Sequence, residues 1–220
     1  MKVLVAGASG LIGGHLVEKL LADSRFTSVT SVARRPIRQS SSKLTQVAVD
    51  FSKLDTLPSA DAAFCCLGTT MKKAGSQAAF RAVDHDAVLN FAKAAKAAGV
   101  GKFIVVTALG ANAKSPIFYN RVKGEVERAL TGIGFASLVI FRPSLLLGER
   151  EESRLTEKLF VRLTPLMKPL FVGPLAAYRP IEAERVASAM FAKATRSTEP
   201  LEILEGNDIK TETEKDSASV

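Results

Sequence analysis

Tyr119 and Lys123 stand four positions apart in a segment of helical spacing, Phe118 to Leu130, so their side chains share one helix face. An ammonium beside a phenol favours the phenolate and lowers its pKa from a reference of about 10. Such a tyrosine works as acid or base toward a carbonyl or alcohol oxygen while hydride moves to or from a nicotinamide. The lysine is then placed to bind the nicotinamide ribose. Thr107, which ends the apolar run from Phe103, could donate to the same substrate oxygen. A strand-end threonine satisfied by backbone is the competing reading. Tyr-x-x-x-Lys is a weak motif alone, and it gains weight from its position after the fifth strand.

Hydride chemistry of this kind needs a dinucleotide, and the N-terminus offers a cradle for one. Gly7-Ala8-Ser9-Gly10-Leu11-Ile12-Gly13 follows the apolar run Val3 to Ala6 and opens a helical pattern through Leu16, Val17, Leu20 and Leu21. The free N–H groups and dipole at a helix start form an anion site. Gly7 suits a tight turn, Gly10 lets backbone approach a pyrophosphate, and Gly13 lets the helix lie close on the strand. The G-x-x-G-x-x-G spacing departs from the G-x-G-x-x-G fingerprint, so the match is to a relative of that motif.

Arg34 and Arg35 come about twenty residues after this turn, where an NAD-preferring fold often carries a carboxylate. Two guanidinium forks there match the 2′-phosphate of NADP, and an exposed basic turn is the bland alternative. Asp50 could accept from the adenine amino group with Phe51 supporting the site, although a turn-forming Asp is an equal alternative. Leu67 and Gly68, followed by Thr69 and Thr70, bring backbone and hydroxyls to the same sheet edge.

These residues need a scaffold that gathers strand ends. Strands are predicted at Ser28 to Ala33, Leu44 to Val49, Ala62 to Leu67, Phe103 to Thr107 and Ala136 to Phe141. Helices are predicted at Gln77 to Ala98 and Phe118 to Leu130. The alternation specifies an α/β fold, a doubly wound parallel sheet of Rossmann type, in which ligands bind beyond the C-terminal strand ends. Further helices are expected at Leu155 to Leu163 and Ala183 to Ala194, around the Pro-punctuated stretch Pro165 to Pro174. A last strand is expected at Leu201 to Leu204. The organisation is one domain over residues 1–205, with a small substrate-side extension at about 144–200 and a disordered polar tail at 206–220.

The chain has 220 residues, 47% of them apolar, and a net charge of +8. Charges are scattered, aromatics make up 6%, and Trp is absent, which argues against a nucleic-acid platform and for a small-molecule substrate. No apolar stretch reaches membrane-spanning length and no signal-peptide layout opens the chain, so the expectation is a cytoplasmic protein off the membrane. Cys65 and Cys66 are adjacent, a poor geometry for a bridge, and read as buried thiols. Neither His15 nor His85 has a partner at metal spacing, so no metal is expected. Apolar helices make a homodimer or a protein partner compatible with the sequence.

Taken together, the glycine turn, Arg34-Arg35, Asp50, Tyr119-x-x-x-Lys123 and Arg142-Pro143 resemble, in order, the short-chain dehydrogenase/reductase superfamily of extended or atypical type. Within it, three strings are similar to the Tat-interactive-protein-like oxidoreductases, an NADPH-binding branch. They are Cys65 to Thr70, Tyr119 to Glu127, and Phe141-Arg142-Pro143. The resemblance implies a pyrophosphate loop of Gly7, Ser9, Gly10, Leu11 and Ile12, and a 2′-phosphate clamp of Arg34 and Arg35. It also implies cofactor-lining positions at Leu67, Gly68, Lys123 and Pro143, with Tyr119 as acid/base. Where relatives carry a serine pair this chain has Thr107-Ala108, and a helix Asn of many relatives is replaced by Asp84 or His85. The function implied is an NADPH-dependent oxidoreductase reducing a small carbonyl or related acceptor. Alternatives are an NADPH-sensing regulatory or protein-interaction module and, less favoured because the region after Gly148 is short, a nucleotide-sugar epimerase or dehydratase.

Overall fold

The structure, a computed structural model, describes residues 1–147, 180–196 and 199–217. The predicted segments at 155–163 and 165–174 lie outside the described residues.

Seven strands make one parallel sheet: β1 (Lys2–Ala6), β2 (Ser28–Ala33), β3 (Leu44–Ala48), β4 (Ala62–Cys65), β5 (Lys102–Val106), β6 (Ser137–Arg142) and β9 (Leu201–Glu205). Their spatial order is β3-β2-β1-β4-β5-β6-β9, so the chain reverses direction across the sheet between β1 and β4. That switch opens a crevice at the C-terminal strand ends. A short pair, β7 (Leu146–Leu147) and β8 (Ile181–Glu182), lies apart from it.

Helices cover both faces, and strand alternation decides what each receives. Val3 and Val5 of β1 join Leu16, Val17 and Leu20 of α1 (Leu11–Ala22) and Val186 and Met190 of α6 (Ala183–Thr195). Leu4 and Ala6 point the other way, toward Phe91 and Ala95 of α4 (Ala87–Ala97) and Val126 and Leu130 of α5 (Phe118–Thr131). Aromatic pairs tie each layer together, with Phe26 at 5.5 Å from Phe191 and Phe103 stacked at 4.8 Å on Phe135. Among the described residues, no helix is long and apolar enough to cross a membrane.

Two elements depart from expectation. The single helix predicted from Gln77 is divided into α3 (Gln77–Arg81), a π turn (Ala82–Asp86) and α4. Its start is capped by Ser76, whose hydroxyl accepts from the Ala79 N–H at 3.1 Å. The short helix α2 (Met71–Ala74) precedes it. The C-terminal tail, expected to be disordered, forms α7 (Gly206–Ser217). One apolar anchor and one acid explain this. Ile209 is fully buried in the core with α1 and α6, and Glu212 meets Lys193 at 3.4 Å and Arg196 at 3.1 Å.

Ile209→Ala is therefore expected to cost about 2–4 kcal/mol, read by urea denaturation. A loss within about 0.5 kcal/mol would match a disordered tail instead.

Candidate functional site

Three backbones converge where β1 and β4 end. Gly7 has φ +82°, and a Cβ on it would lie 2.5 Å from the Cys66 carbonyl group. A Cβ on Gly13 would lie 2.1 Å from the Gly7 carbonyl oxygen. Both positions exclude any side chain, so the first turn of α1 is pressed onto the glycine turn and that turn onto the residues just after β4. Gly10 is the N-cap of α1, makes no side-chain cap, and no acid sits in the first turn. The helix start therefore keeps its N–H groups and positive dipole end for an anion. Ser9 and Gly10 are exposed, Leu11 half-buried, and Ile12 buried as a core anchor.

At the neighbouring strand end Arg34 and Arg35 are exposed. Arg35 borders a hollow of about 240 Å³ with Ser31, Gln46 and Ala48. The buried Ser31 Oγ has no hydrogen-bond partner among the described residues. Asp50 caps a 3-10 turn at Phe51–Lys53, and its Oδ1 accepts from the Ser52 N–H at 2.9 Å and the Ser52 hydroxyl at 2.7 Å. These bonds hold its carboxyl below the usual carboxylate range. Asp50 Oδ1 thus serves the turn. Phe51 is buried, and its carbonyl accepts from Asn90 at 2.8 Å.

The chemical centre is assembled from β4, the π turn and α5. Lys123 Nζ lies 2.7 Å from Asp84 Oδ1, and the two side chains are 4% and 1% exposed. Asp84 Oδ2 accepts from the Thr69 backbone N–H at 2.8 Å, which locks the carboxylate to the loop after β4. Gly68 lies over the pair, because a Cβ there would stand 3.4 Å from Asp84 Oδ1 and 3.9 Å from Lys123 Nζ. Of the two residues offered in place of the relatives' Asn, Asp84 faces the site. His85 pairs instead with Asp86 at 2.7 Å. Tyr119, one turn before Lys123, is half-buried with its ring 5.4 Å from that of Phe80. Its hydroxyl has no hydrogen-bond partner among the described residues.

Thr107 is not brought to this centre through its hydroxyl. It is buried and donates to Glu127 Oε1 at 2.5 Å, with a weaker bond to the Phe141 carbonyl at 3.4 Å. Of the expected hydroxyl, Tyr and Lys set, the Thr107 hydroxyl is engaged with Glu127. A buried carboxylate takes the threonine because such a charge requires donors from every side. Glu127 also binds Arg142 through Nε at 3.0 Å and Nη2 at 2.5 Å, and Arg142 Nη1 meets Glu205 at 2.7 Å. These acceptors, Glu127 first, raise the Arg142 pKa further. The network pins α5 to the ends of β5, β6 and β9, and no local pattern in the chain signals it. Pro143 is buried, with its carbonyl accepting from the Leu109 N–H at 2.9 Å.

Cys65 is fully buried, and desolvation pushes its thiol up to about 12. Cys66 is pushed up as well. Both are free. A second cavity, of about 370 Å³, opens between α5 and β9, lined by residues including Asn112, Arg128 and Ile203.

The pattern of a family described as NAD(P)H-binding matches residues 7–137. Rat Protein HTATIP2 is 41% identical over 159 residues, covering 69% of this chain and 65% of that protein. The chain thus spans just under two thirds of that relative's length. A fungal relative from Emericella nidulans, Protein fmp52, mitochondrial, is 36% identical over 167 residues, covering 70% of this chain and 71% of its own. That name lends no support to the cytoplasmic expectation. Among solved structures, human epimerase family protein SDR39U1 with NADPH aligns at TM-score 0.65 and 19% identity, covering 92% of this chain and 73% of that one. MoeE5 with UDP-glucose and NAD aligns at TM-score 0.71 and 18% identity, covering 98% and 81%. At such identities these two speak for the fold.

The cradle makes a paired prediction. Gly13→Ala is expected to destabilise the protein by about 1–3 kcal/mol, since its Cβ has no space. Gly14→Ala, whose Cβ would make an ordinary 3.9 Å contact with the Ala8 carbonyl, is expected to stabilise it by about 0.5–1 kcal/mol. Chemical denaturation of both variants checks the opposite signs.

Proposed function

Because the chain belongs to the NAD(P)H-binding family, we propose that it is an NADPH-dependent oxidoreductase of short-chain dehydrogenase type that reduces a small carbonyl or related acceptor. Its main support is the buried Lys123 at the switch-point edge, one helical turn after Tyr119 on the same helix and across from an uncapped helix start.

The residues present fit a dinucleotide. Gly7 and Gly13 let the turn and the first turn of α1 pack backbone against backbone, which holds the helix start in place, and the N–H groups after Gly10 are free to bind pyrophosphate oxygens. Arg34 and Arg35 are the residues for a 2′-phosphate, and no carboxylate stands beside them in sequence to favour a free ribose hydroxyl. Lys123 and the backbone at Leu67 and Gly68 would hold the nicotinamide ribose, with Pro143 closing the wall. Bound there, NADPH supplies a hydride, the two electrons that the carbonyl carbon accepts. Tyr119 gives the carbonyl oxygen its proton, the C=O becomes an alcohol, and the phenolate recovers a proton from water. Two free thiols suit a reducing compartment, for which the cytoplasm remains our proposal.

A second reading rests on one observation. With the Thr107 hydroxyl committed to Glu127 and Ala108 beside it, the site has fewer polar groups for a substrate oxygen than a full set would provide. This favours an NADPH sensor that contacts a protein partner on the same fold.

A panel of small aldehydes and ketones, read by NADPH consumption, separates the two. The oxidoreductase reading expects turnover that falls by about 10²–10⁴-fold in Tyr119→Phe while NADPH affinity is kept. NADPH binding without turnover of any acceptor identifies the sensor. For cofactor choice, NADPH is expected to bind at least about tenfold more tightly than NADH, with the preference lost in Arg34→Ala plus Arg35→Ala. Equal affinities in the unaltered protein would overturn the arginine assignment.

A further inference from the structure

Lys123 does not stand alone as the charge beside Tyr119. Its ammonium sits 2.7 Å from a carboxylate that is 1% exposed and fixed by the Thr69 N–H, so the two opposite charges are buried as one unit. In such surroundings a cation held against its counter-ion exerts little net field on a third group. We propose that Asp84 is a positioning residue that neutralises Lys123, so that Tyr119 faces a charge-balanced pair and acts as a proton donor, suited to reduction rather than alcohol oxidation.

Among the described residues, the neighbouring charged groups have partners of their own. From β4, Cys65 is a neutral thiol with its pKa pushed up to about 12. On the π turn His85 is engaged with Asp86, and from α3 Arg81 is bound to Glu125 at 2.5 Å. On α5 itself Glu127 is closed by Arg142 and Thr107. Asp84 is therefore the group whose removal uncovers the ammonium toward Tyr119. The π turn places it there. An added residue in that turn changes which side chains face α5, and the Asp84 carboxyl lands against Lys123 while His85 pairs with Asp86.

The direction of the chemistry rests on the proposed oxidoreductase reading, but the electrostatic claim is measured without cofactor or substrate. The chain contains two tyrosines, Tyr119 and Tyr178, and no tryptophan. In a Tyr178→Phe background the near-ultraviolet absorbance of phenolate reports Tyr119 alone. We expect Asp84→Asn to move the midpoint of that titration about one unit toward lower pH, because the ammonium is then unopposed. A midpoint that stays in place or rises in a folded Asp84→Asn protein overturns the proposal. Should that variant fail to fold, Asp84→Leu with Lys123→Met replaces the pair by apolar groups of similar size. The proposal expects the parent midpoint to be kept within about 0.3 unit, since a neutral pair is exchanged for neutral side chains. A rise of about one unit or more would show that Tyr119 had felt the uncancelled lysine charge, and would overturn the proposal. A failed acceptor screen leaves this result standing, and a failed titration leaves the dinucleotide site standing.

Discussion

The site depends on how closely three backbones approach one another at Gly7. The end of β1, the start of α1 and the strand end at Cys66 meet at distances that leave no room for a single Cβ. This contact aims the N-terminus of α1 over the crevice opened by the strand reversal between β1 and β4. An anion site built from backbone has no side chains to adjust, so its geometry is set by packing alone. The core beneath supplies that rigidity, since β1 and β4 are buried on both faces and each face is covered by a helix pair.

Charge is handled differently on the two sides of the crevice. At the proposed adenosine end Arg34 and Arg35 are exposed to solvent, where an ordered phosphate would find unshielded guanidinium groups. At the proposed nicotinamide end two ion pairs are buried. Lys123 meets Asp84, and Glu127 meets Arg142. A buried ion is tolerated when its partners leave no uncompensated charge, so these pairs fix α5 in register against β4, β5 and β6. Tyr119 opens α5 and inherits that register, with Phe80 as the apolar wall behind its ring.

Much of the scaffold was legible in the chain. The strand segments are short apolar runs at regular intervals, and β2 has the bounds that Ser28 to Ala33 predicts. The glycine turn and the Tyr-x-x-x-Lys pair were legible because they are local patterns. What stayed hidden depends on contacts distant in sequence. No residue type marks the π turn at Ala82–Asp86, yet it decides that Asp84 and not His85 meets Lys123. Thr107 reads as a free hydroxyl at a strand end until Glu127, on another element, comes within 2.5 Å. The C-terminal segment looks disordered by composition, and its order comes from a buried isoleucine and an acid facing two cations on α6 and just beyond it. Local composition carries no record of such pairings.

Whether one dinucleotide spans the crevice from Arg34 to Lys123 is decided by a crystal structure with NADPH bound. The pyrophosphate is expected on the N–H groups following Gly10, the 2′-phosphate between Arg34 and Arg35, and the nicotinamide ribose at Lys123 with its Asp84 pair intact. Density for the dinucleotide in the cavity between α5 and β9, or a bound cofactor with Lys123 turned away from its ribose, would contradict it.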